Sequence, residues 1–539
     1  MNPSSLSRIA IIGNGIMANI AALYLRRQLP RDVEILVIGP PTRGGMPVVG
    51  ESTIEITAQF LENKLGLGSY LREHHYPKYA LTYYFKLNPE DPADRRYSVH
   101  CNEREPDDFP RLEGGWEGPM ARPPSWQLNR EVFDRDMCER VDRTDGIERI
   151  YGKVRHVELG RDRSHTLTIE RTDGQEHEVS GDWVIDASGR RSVLGRQLGL
   201  KVRSEIQRDA FWFRVSDFDP DLLSRCEALG PRPAGPGEAY HYDRYYSTHH
   251  FMGRGHWIWM IPLRSKEPGE LMSIGLSMRS DLYRGHVRNI DDFMEQVGAV
   301  HPLITDLVGS GRVLDSNVYR RYHYYSKQAY SADRWAVIGD AAYALDPLLS
   351  NGLTFGVIQL EQLGEMIARD ACSEHDPDYI ERLERALWAP MLSSQRAIGD
   401  WYETMHDPFL SALRLSWIEV AYFYLLLPLV INRAHCDPNM MPAWSVLMLR
   451  EGEEGSGFDI PRPLAEARKL FDQVRPEHFI YRGKIKVNPM AMTQVEDVEG
   501  LYRQFRMGAQ LRRNYMADAI ARVKLAEGLP VNRTPEICL

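Results

Sequence analysis

No excess of basic residues runs through this sequence: Lys+Arg 66 against Asp+Glu 75 leaves a formal net charge of -9. A nucleic-acid binder would normally carry a basic stripe, so that class is disfavoured. Cysteine is scarce and scattered. Cys101, Cys138, Cys226, Cys372, Cys436 and Cys538 never fall within four residues of one another. That spacing excludes a CxxC metal half-site or redox pair, and it predicts reduced thiols in a reducing compartment with no metal centre. The opening MNPSSLSRIA lacks the basic segment, apolar run and cleavage site of a secretory leader, so a cytoplasmic protein is expected. Long apolar runs are missing too. The longest uncharged stretch, 420–432 (VAYFYLLLPLVIN), is too short to span a bilayer and contains Pro428. It reads as a buried helix or lid, or else as a surface that meets an apolar substrate or a membrane. No internal repeat is visible.

What is present describes a large globular chain. Its 539 residues exceed what one hydrophobic core serves efficiently, and predict two or three domains. Near the start, Arg8 to Ile12 reads as a buried strand, followed by Gly13-Asn14-Gly15-Ile16-Met17-Ala18, a helix-forming run and a second strand, Val33 to Ile38. Strand, tight glycine turn, helix and strand make a βαβ unit. Gly13 permits the turn, Gly15 lets backbone approach a pyrophosphate, and Ala18 keeps helix close to strand. The anion would rest on unpaired helix N–H groups. The acid that normally ends the second strand and holds the adenosine ribose is missing, its place taken by Gly39, Pro40 and Pro41. Either another residue holds the ribose or the contact is lost.

Beyond this unit, 54–70 reads as helical, YALTYYFKL from Tyr79 as a strand, 88–124 as an irregular polar excursion and Leu128 to Val141 as a helix. Two strands are expected within 151–184, and an antiparallel sheet within 208–325 from the alternation in AFWFRV, HWIWMIPL and LMSIGLSM. Residues 335–347 (WAVIGDAAYALDP) return to a buried strand, with a long helix after them to about 371. The expected class is α/β, α+β overall. A Rossmann-like nucleotide domain (1–200 and 330–375) carries a β-sheet substrate domain (201–329) and a largely helical C-terminal region (376–539).

Two further motifs follow apolar strands: Asp186-Ala187-Ser188-Gly189-Arg190-Arg191-Ser192, and Gly339-Asp340-Ala341-Ala342 continuing to Asp346-Pro347. A carboxylate at Asp340 can accept from ribityl hydroxyls or cap the next helix. With the glycine turn, this order of motifs resembles the flavin-dependent aromatic monooxygenases and halogenases. Two segments narrow the resemblance to flavin-dependent halogenases: Trp257-Ile258-Trp259-Met260-Ile261-Pro262 fills their WxWxIP pattern, and Gly50-Glu51-Ser52-Thr53 looks like their GEST segment. The resemblance covers roughly residues 8–370.

The resemblance implies FAD as cofactor, supplied reduced by a separate NAD(P)H-dependent flavin reductase, with dioxygen and chloride or bromide as co-substrates. No second dinucleotide turn is visible to bind the nicotinamide. Gly13, Gly15, Ala18, Arg130, Asp186, Gly189, Asp340 and Pro347 are assigned to the cofactor. Ser350, Asn351 and Gly352 match the loop whose backbone amides hold halide. Trp257 and Trp259 would wall substrate off from flavin, the plainer reading being a pair of bulky core residues. Glu51 would link halide site and tunnel. Hypohalous acid would reach the aromatic through that tunnel, met by the family's lysine. Lys78 takes the lysine position with a one-residue gap, and Tyr79 without one; the slip reverses the face of a strand side chain. Tryptophan halogenases carry a glutamate where this chain has Leu349, so a phenolic, pyrrolic or carrier-tethered aromatic is expected rather than free tryptophan. The adjacent pairs His74, His75 and His249, His250 show no metal spacing and read as packing or pocket residues, one of which could serve as base for a phenol. The rival readings are a flavin monooxygenase or oxidase on the same scaffold, and a non-catalytic flavin-binding protein.

Overall fold

Four apolar residues in a row without polar alternation, Ile9 to Ile12, suit a strand covered on both faces, and each of them is enclosed. The computed structural model that shows this describes residues 6–41, 48–86, 96–101, 125–160, 164–222, 245–265 and 269–407, part of 411–438, and 482–483. Strand Arg8–Ile12 lies parallel to Glu34–Gly39 on one side and Trp183–Asp186 on the other. Ile147–Glu158 and Trp335–Val337 continue the parallel core outward. Antiparallel strands complete an eight-stranded sheet, Tyr330–Ser331 at one edge and His165–Arg171 with Glu176–Gly181 at the other. Helices Ile16–Gln28 and Asn351–Ala371 pack on this sheet through a shared apolar core.

The expected βαβ unit is present with its second strand one residue late. Where two strands were expected in 151–184, three run antiparallel before Trp183–Asp186. They alternate buried and exposed residues, so their composition is polar and one of the three escapes a reading from composition. The helix expected over 54–70 is broken into Glu55–Gln59, a π-helical turn Phe60–Lys64, and Gly68–His74. Leu128 to Val141 forms a helix at Arg130–Asp142. The excursion at 88–124 is corrected in part: Arg96–Cys101 is a strand, paired antiparallel with Leu81–Lys86, and the rest lies outside the described residues.

A second eight-stranded sheet contains the three alternating segments as Arg208–Ser216, His256–Pro262 and Leu271–Arg279, antiparallel to one another. Thr248–Gly253 pairs antiparallel with His256–Pro262 and parallel with Leu81–Lys86. This sheet therefore draws two strands from the first 200 residues, and a boundary at residue 201 does not coincide with its edge. Of the C-terminal region, Pro377–Trp401 is a long helix and Leu427–Ile431 a short one, with Leu427 and Leu429 fully enclosed, as a buried helix requires. Most of the remainder lies outside the described residues. No described helix is long and apolar enough to cross a membrane, and no described residues group as a metal site.

Enclosure inside and beside the second sheet holds four histidines neutral. Burial pushes His249, His256 and His323 down to about 4 and His250 to about 3. Unfolded, these imidazoles take protons near pH 6.5. Between that value and their folded values the unfolded chain binds more protons, so stability falls as pH falls. Each tenfold loss of proton affinity on folding corresponds to ~1.4 kcal/mol. The carboxyls of Glu51, Asp186, Asp340 and Glu384, raised by burial, act in the opposite direction. The carboxyls of Glu361 and Asp370, lowered despite burial by their ion pairs and hydrogen bonds, act with the histidines. The melting temperature is expected to drop steeply from pH 6.5 to 4. A flat Tm across that window would contradict this.

Candidate active site

The glycine turn is open in one place and tight in another. A Cβ added to Gly13, which sits at φ +135, would meet the Ala187 carbonyl oxygen at 2.4 Å, so this glycine lets the turn close against the Asp186–Gly189 segment. A Cβ on Gly15 would meet nothing within 4 Å. That open space fronts the first turn of helix Ile16–Gln28, which has no side-chain cap and carries two basic residues only at its far end. Ala18 is fully enclosed against the sheet. A cradle with free helix N–H groups suits a diphosphate.

Gly39 explains the missing acid. A Cβ there would lie 2.8 Å from both the Asn14 Cβ and the Gly13 carbonyl carbon, and Asn14 in turn donates to the Pro40 carbonyl at 3.0 Å. The end of the second strand is packed directly on the glycine turn. Arg149 reaches this corner, hydrogen-bonded to the Asn14 and Asn19 side-chain oxygens.

Asp186 does not face the cleft. Its carboxylate is fully buried and accepts from Ser188 N at 3.0 Å and Leu194 N at 2.7 Å, so it shapes the turn carrying Gly189 and acts on a cofactor only through it. Gly189 sits at φ +64 with open space beyond it. Asp340 is different: its side chain is reachable by solvent although protein surrounds it, the combination found at the floor of a deep cleft. Enclosure raises its carboxyl, against the pull of Arg130 and Arg190. Arg130 also ties the cleft to the GEST segment. Its guanidinium binds Asp134 through two nitrogens and donates to the carbonyls of Val49 at 2.8 Å and Gly50 at 3.2 Å. Open space at Gly15 and Gly189, with Asp340 on the floor, fits a flavin dinucleotide laid across the carboxyl ends of the parallel strands.

The GEST segment points two ways. Glu51 is buried; one carboxylate oxygen accepts from Ser273 Oγ at 2.7 Å and the other from Gly50 N at 2.8 Å. Burial pushes its carboxyl up, and Ser273, in turn held by Trp212 Nε1 at 2.7 Å, resists that shift. Ser52 turns instead to the buried Lys78, whose Nζ donates to Ser52 Oγ at 3.1 Å, with Thr248 Oγ1 3.0 Å from the same oxygen. Tyr79 packs with Ala80 and Tyr246 in a separate cluster. Lys78 is thus the residue brought to the GEST segment. His250, on the same strand face as Thr248, stacks on Tyr83 with centroids 4.4 Å apart, close enough to Lys78 for its imidazole to feel that charge. His249 faces the other way, to Tyr84 at 3.0 Å, and His75 accepts from Asn129 N, so these two are packing residues.

Trp257 and Trp259 lie on this same face, both buried, ring centroids 5.4 Å apart. They fit because their neighbours on strand Leu271–Arg279 are small: Ser277 opposite Trp257, Gly275 opposite Trp259. A Cβ on Gly275 would lie 2.0 Å from the Trp259 ring. Leu348 and Leu349 join their cluster, which brings the turn after Asp346 against the tryptophan wall. Pro347 opens that turn and its carbonyl accepts Ser350 N at 2.9 Å, so the Ser350 amide is already used. Ser350 adopts a left-handed conformation at φ +56 and starts helix Asn351–Ala371, which has no side-chain cap. The amides of Asn351 and Gly352 therefore head the helix, and a Cβ on Gly352 would meet open space. Sequence reasoning missed Ser273, although the small residues alternating in LMSIGLSM point to it. It also missed Arg208 and Tyr402, which no local pattern marks.

The family model for tryptophan halogenase matches residues 8–92 and 95–392. The chain belongs to that family. It is a flavin-dependent oxidoreductase. Flavin-dependent halogenase chlA of Dictyostelium discoideum is 26% identical over 461 residues, covering 80% of this chain and 72% of that protein. A 1H-pyrrole-2-carbonyl-[peptidyl-carrier protein] brominase of Pseudoalteromonas luteoviolacea is 28% identical over 236 residues, 43% of this chain and 53% of its own length. The fold matches halogenase PltM in complex with phloroglucinol and FAD with TM-score 0.62 at 18% identity, covering 96% of each chain.

Proposed function

We propose that this chain binds FAD and uses it, supplied reduced, with dioxygen and chloride or bromide, to halogenate an electron-rich aromatic. The observation that carries the reading is the buried Lys78 amine held at Ser52 and, through it, at Thr248, beside His250 on the sheet face that bears Trp257 and Trp259. When bound, reduced flavin with dioxygen supplies the oxidising equivalents that make halide electrophilic. The chain does the rest. Gly13, Gly15 and the following helix N-terminus hold the diphosphate, and Asp340 accepts from the ribityl chain. Asn351 and Gly352 present amides to the halide. The tryptophans keep the aromatic apart from the flavin and help exclude water. Lys78 meets hypohalous acid where it reaches the aromatic, either donating a hydrogen bond to its oxygen or taking the halogen on its neutral nitrogen with loss of water, and the ring then takes the halogen and gives up a proton.

Leu349 takes the place of a carboxylate that would orient an indole, so a phenolic, pyrrolic or carrier-bound aromatic is the substrate class. The carrier-bound option gains support from the brominase relative. The enzyme works in the cytoplasm beside a separate NAD(P)H-dependent flavin reductase, because only one dinucleotide turn is present in the sequence. Purified chain supplied with FAD and NADPH is expected to consume no NADPH until a reductase is added. NADPH oxidation by the chain alone, at the rate of product formation, would favour the monooxygenase reading.

A further inference from the structure

Trp257 of the tryptophan wall joins a polar cluster whose other members the proposed chemistry does not use. Asp346, Tyr402, Arg208, Trp257 and Ser277 are all but fully enclosed, in the middle of an otherwise apolar layer. Tyr402 stands at its centre. Its hydroxyl lies 2.7 Å from Asp346 Oδ2, 2.8 Å from Trp257 Nε1 and 2.8 Å from Ser277 Oγ. The proton positions follow from chemistry. An indole N–H only donates and a carboxylate only accepts, so Tyr402 receives from Trp257 and donates to Asp346. Its one proton being placed, Ser277 must donate to it, which leaves the serine oxygen to accept from Tyr322 at 3.2 Å.

Asp346 needs that proton. Its other oxygen accepts Leu348 N at 3.1 Å, which fixes the turn Pro347–Leu349 leading to Ser350 and the amides of Asn351 and Gly352. Arg208 Nε lies 2.7 Å from Oδ2 but makes an ion contact there, not an aligned hydrogen bond. The aligned donor on that oxygen is Tyr402. Tyr402 follows the helix Pro377–Trp401 and lies beyond the residues matched by the family model, which end at 392.

We propose that Tyr402 is a positioning residue that locks the halide-binding turn to the tryptophan wall, so that halide site and substrate barrier are set by one hydroxyl. This rests on the reading that halide binds at Asn351 and Gly352. Removing the hydroxyl in Tyr402→Phe leaves Asp346 Oδ2 with its Arg208 ion contact alone and takes the partner from Trp257 Nε1, so the turn can move relative to the wall.

The test compares three variants of the FAD-loaded protein with wild type, reading bromide KM, aromatic KM, FAD affinity and the rise in Tm with added bromide. Tyr402→Phe is expected to raise bromide KM on the order of tenfold, the size of effect given by loss of a buried charge-assisted hydrogen bond. The bromide-dependent rise in Tm should shrink with it and aromatic KM should shift as Trp257 loses its partner, while FAD affinity stays unchanged. Trp401→Phe controls for packing. Its indole is buried in the same layer and bonds to Ser411 at 2.8 Å, away from Asp346, so Tm should fall with bromide KM unchanged. Gly352→Val fills the open space at the helix start and tests the halide site itself. If Gly352→Val weakens bromide and Tyr402→Phe does not, the lock is wrong. If Gly352→Val leaves bromide KM unchanged, the halide reading has failed instead. Equal effects of Tyr402→Phe and Trp401→Phe on bromide KM would also overturn the proposal.

Discussion

Lys78→Ala is expected to lower the yield of halogenated product by about a hundredfold or more, the scale of losing one positioned polar group in a reaction centre. FAD affinity and flavin reoxidation should not change, because Lys78 bonds to Ser52 and is not among the residues that form the cofactor cradle. The oxidising equivalents then leave the site unused, and peroxide release should rise as product falls. Lys78→Arg should not restore activity. A guanidinium stays protonated, cannot supply a nucleophilic nitrogen, and is larger than the enclosed space the amine occupies. Tyr79→Phe is the informative control. Tyr79 packs with Ala80 and Tyr246 and so should keep wild-type yield. Full halogenation by Lys78→Ala, or a selective loss in Tyr79→Phe, would transfer the role away from the lysine.

Gly15→Val should abolish FAD retention in a folded protein, weakening binding at least ~100-fold, or ~2.7 kcal/mol. The structure separates this effect from misfolding, since a side chain at Gly15 meets no protein atom within 4 Å and occupies only the cradle. Gly13→Ala offers the contrast. Its methyl would strike the Ala187 carbonyl at a backbone conformation unfavourable to any L side chain, so its damage should appear in Tm as well. Flavin titration alongside thermal unfolding distinguishes the two. Unchanged FAD affinity in folded Gly15→Val would remove the cradle assignment.

What could be read from the sequence was local. The strand–glycine turn–helix unit, the long helix after Asp346 and the three alternating strands each follow from a pattern within a dozen or so residues. Of the three half-exposed strands in 147–181 only two were expected, because alternation leaves a polar composition. The parallel pairing of Leu81–Lys86 with Thr248–Gly253 joins residues far apart in the chain, and no local signal encodes it. The site divides the same way. Motifs brought Asp340, Glu51 and the tryptophans into view, whereas only the folded chain shows that Lys78 bonds to the GEST segment and Tyr79 packs with Ala80 and Tyr246. Asp186 and Ser350 show the limit of motif reading, since the first uses its carboxylate, and the second its amide, to build the turn that carries its neighbours. Tyr402 and Arg208 sit in no motif and meet Asp346 only after folding.

The central claim, that this fold halogenates and does not hydroxylate, is tested most directly by the mass spectrum of product made with reduced FAD, dioxygen and bromide. Phenols, pyrroles and carrier-bound pyrroles are the substrates to offer, each with and without the halide. A halogenase gives product only when bromide is present, marked by the near-equal isotope pair of bromine. Product that carries one added oxygen and forms equally well without bromide would contradict the account and assign the fold to monooxygenation.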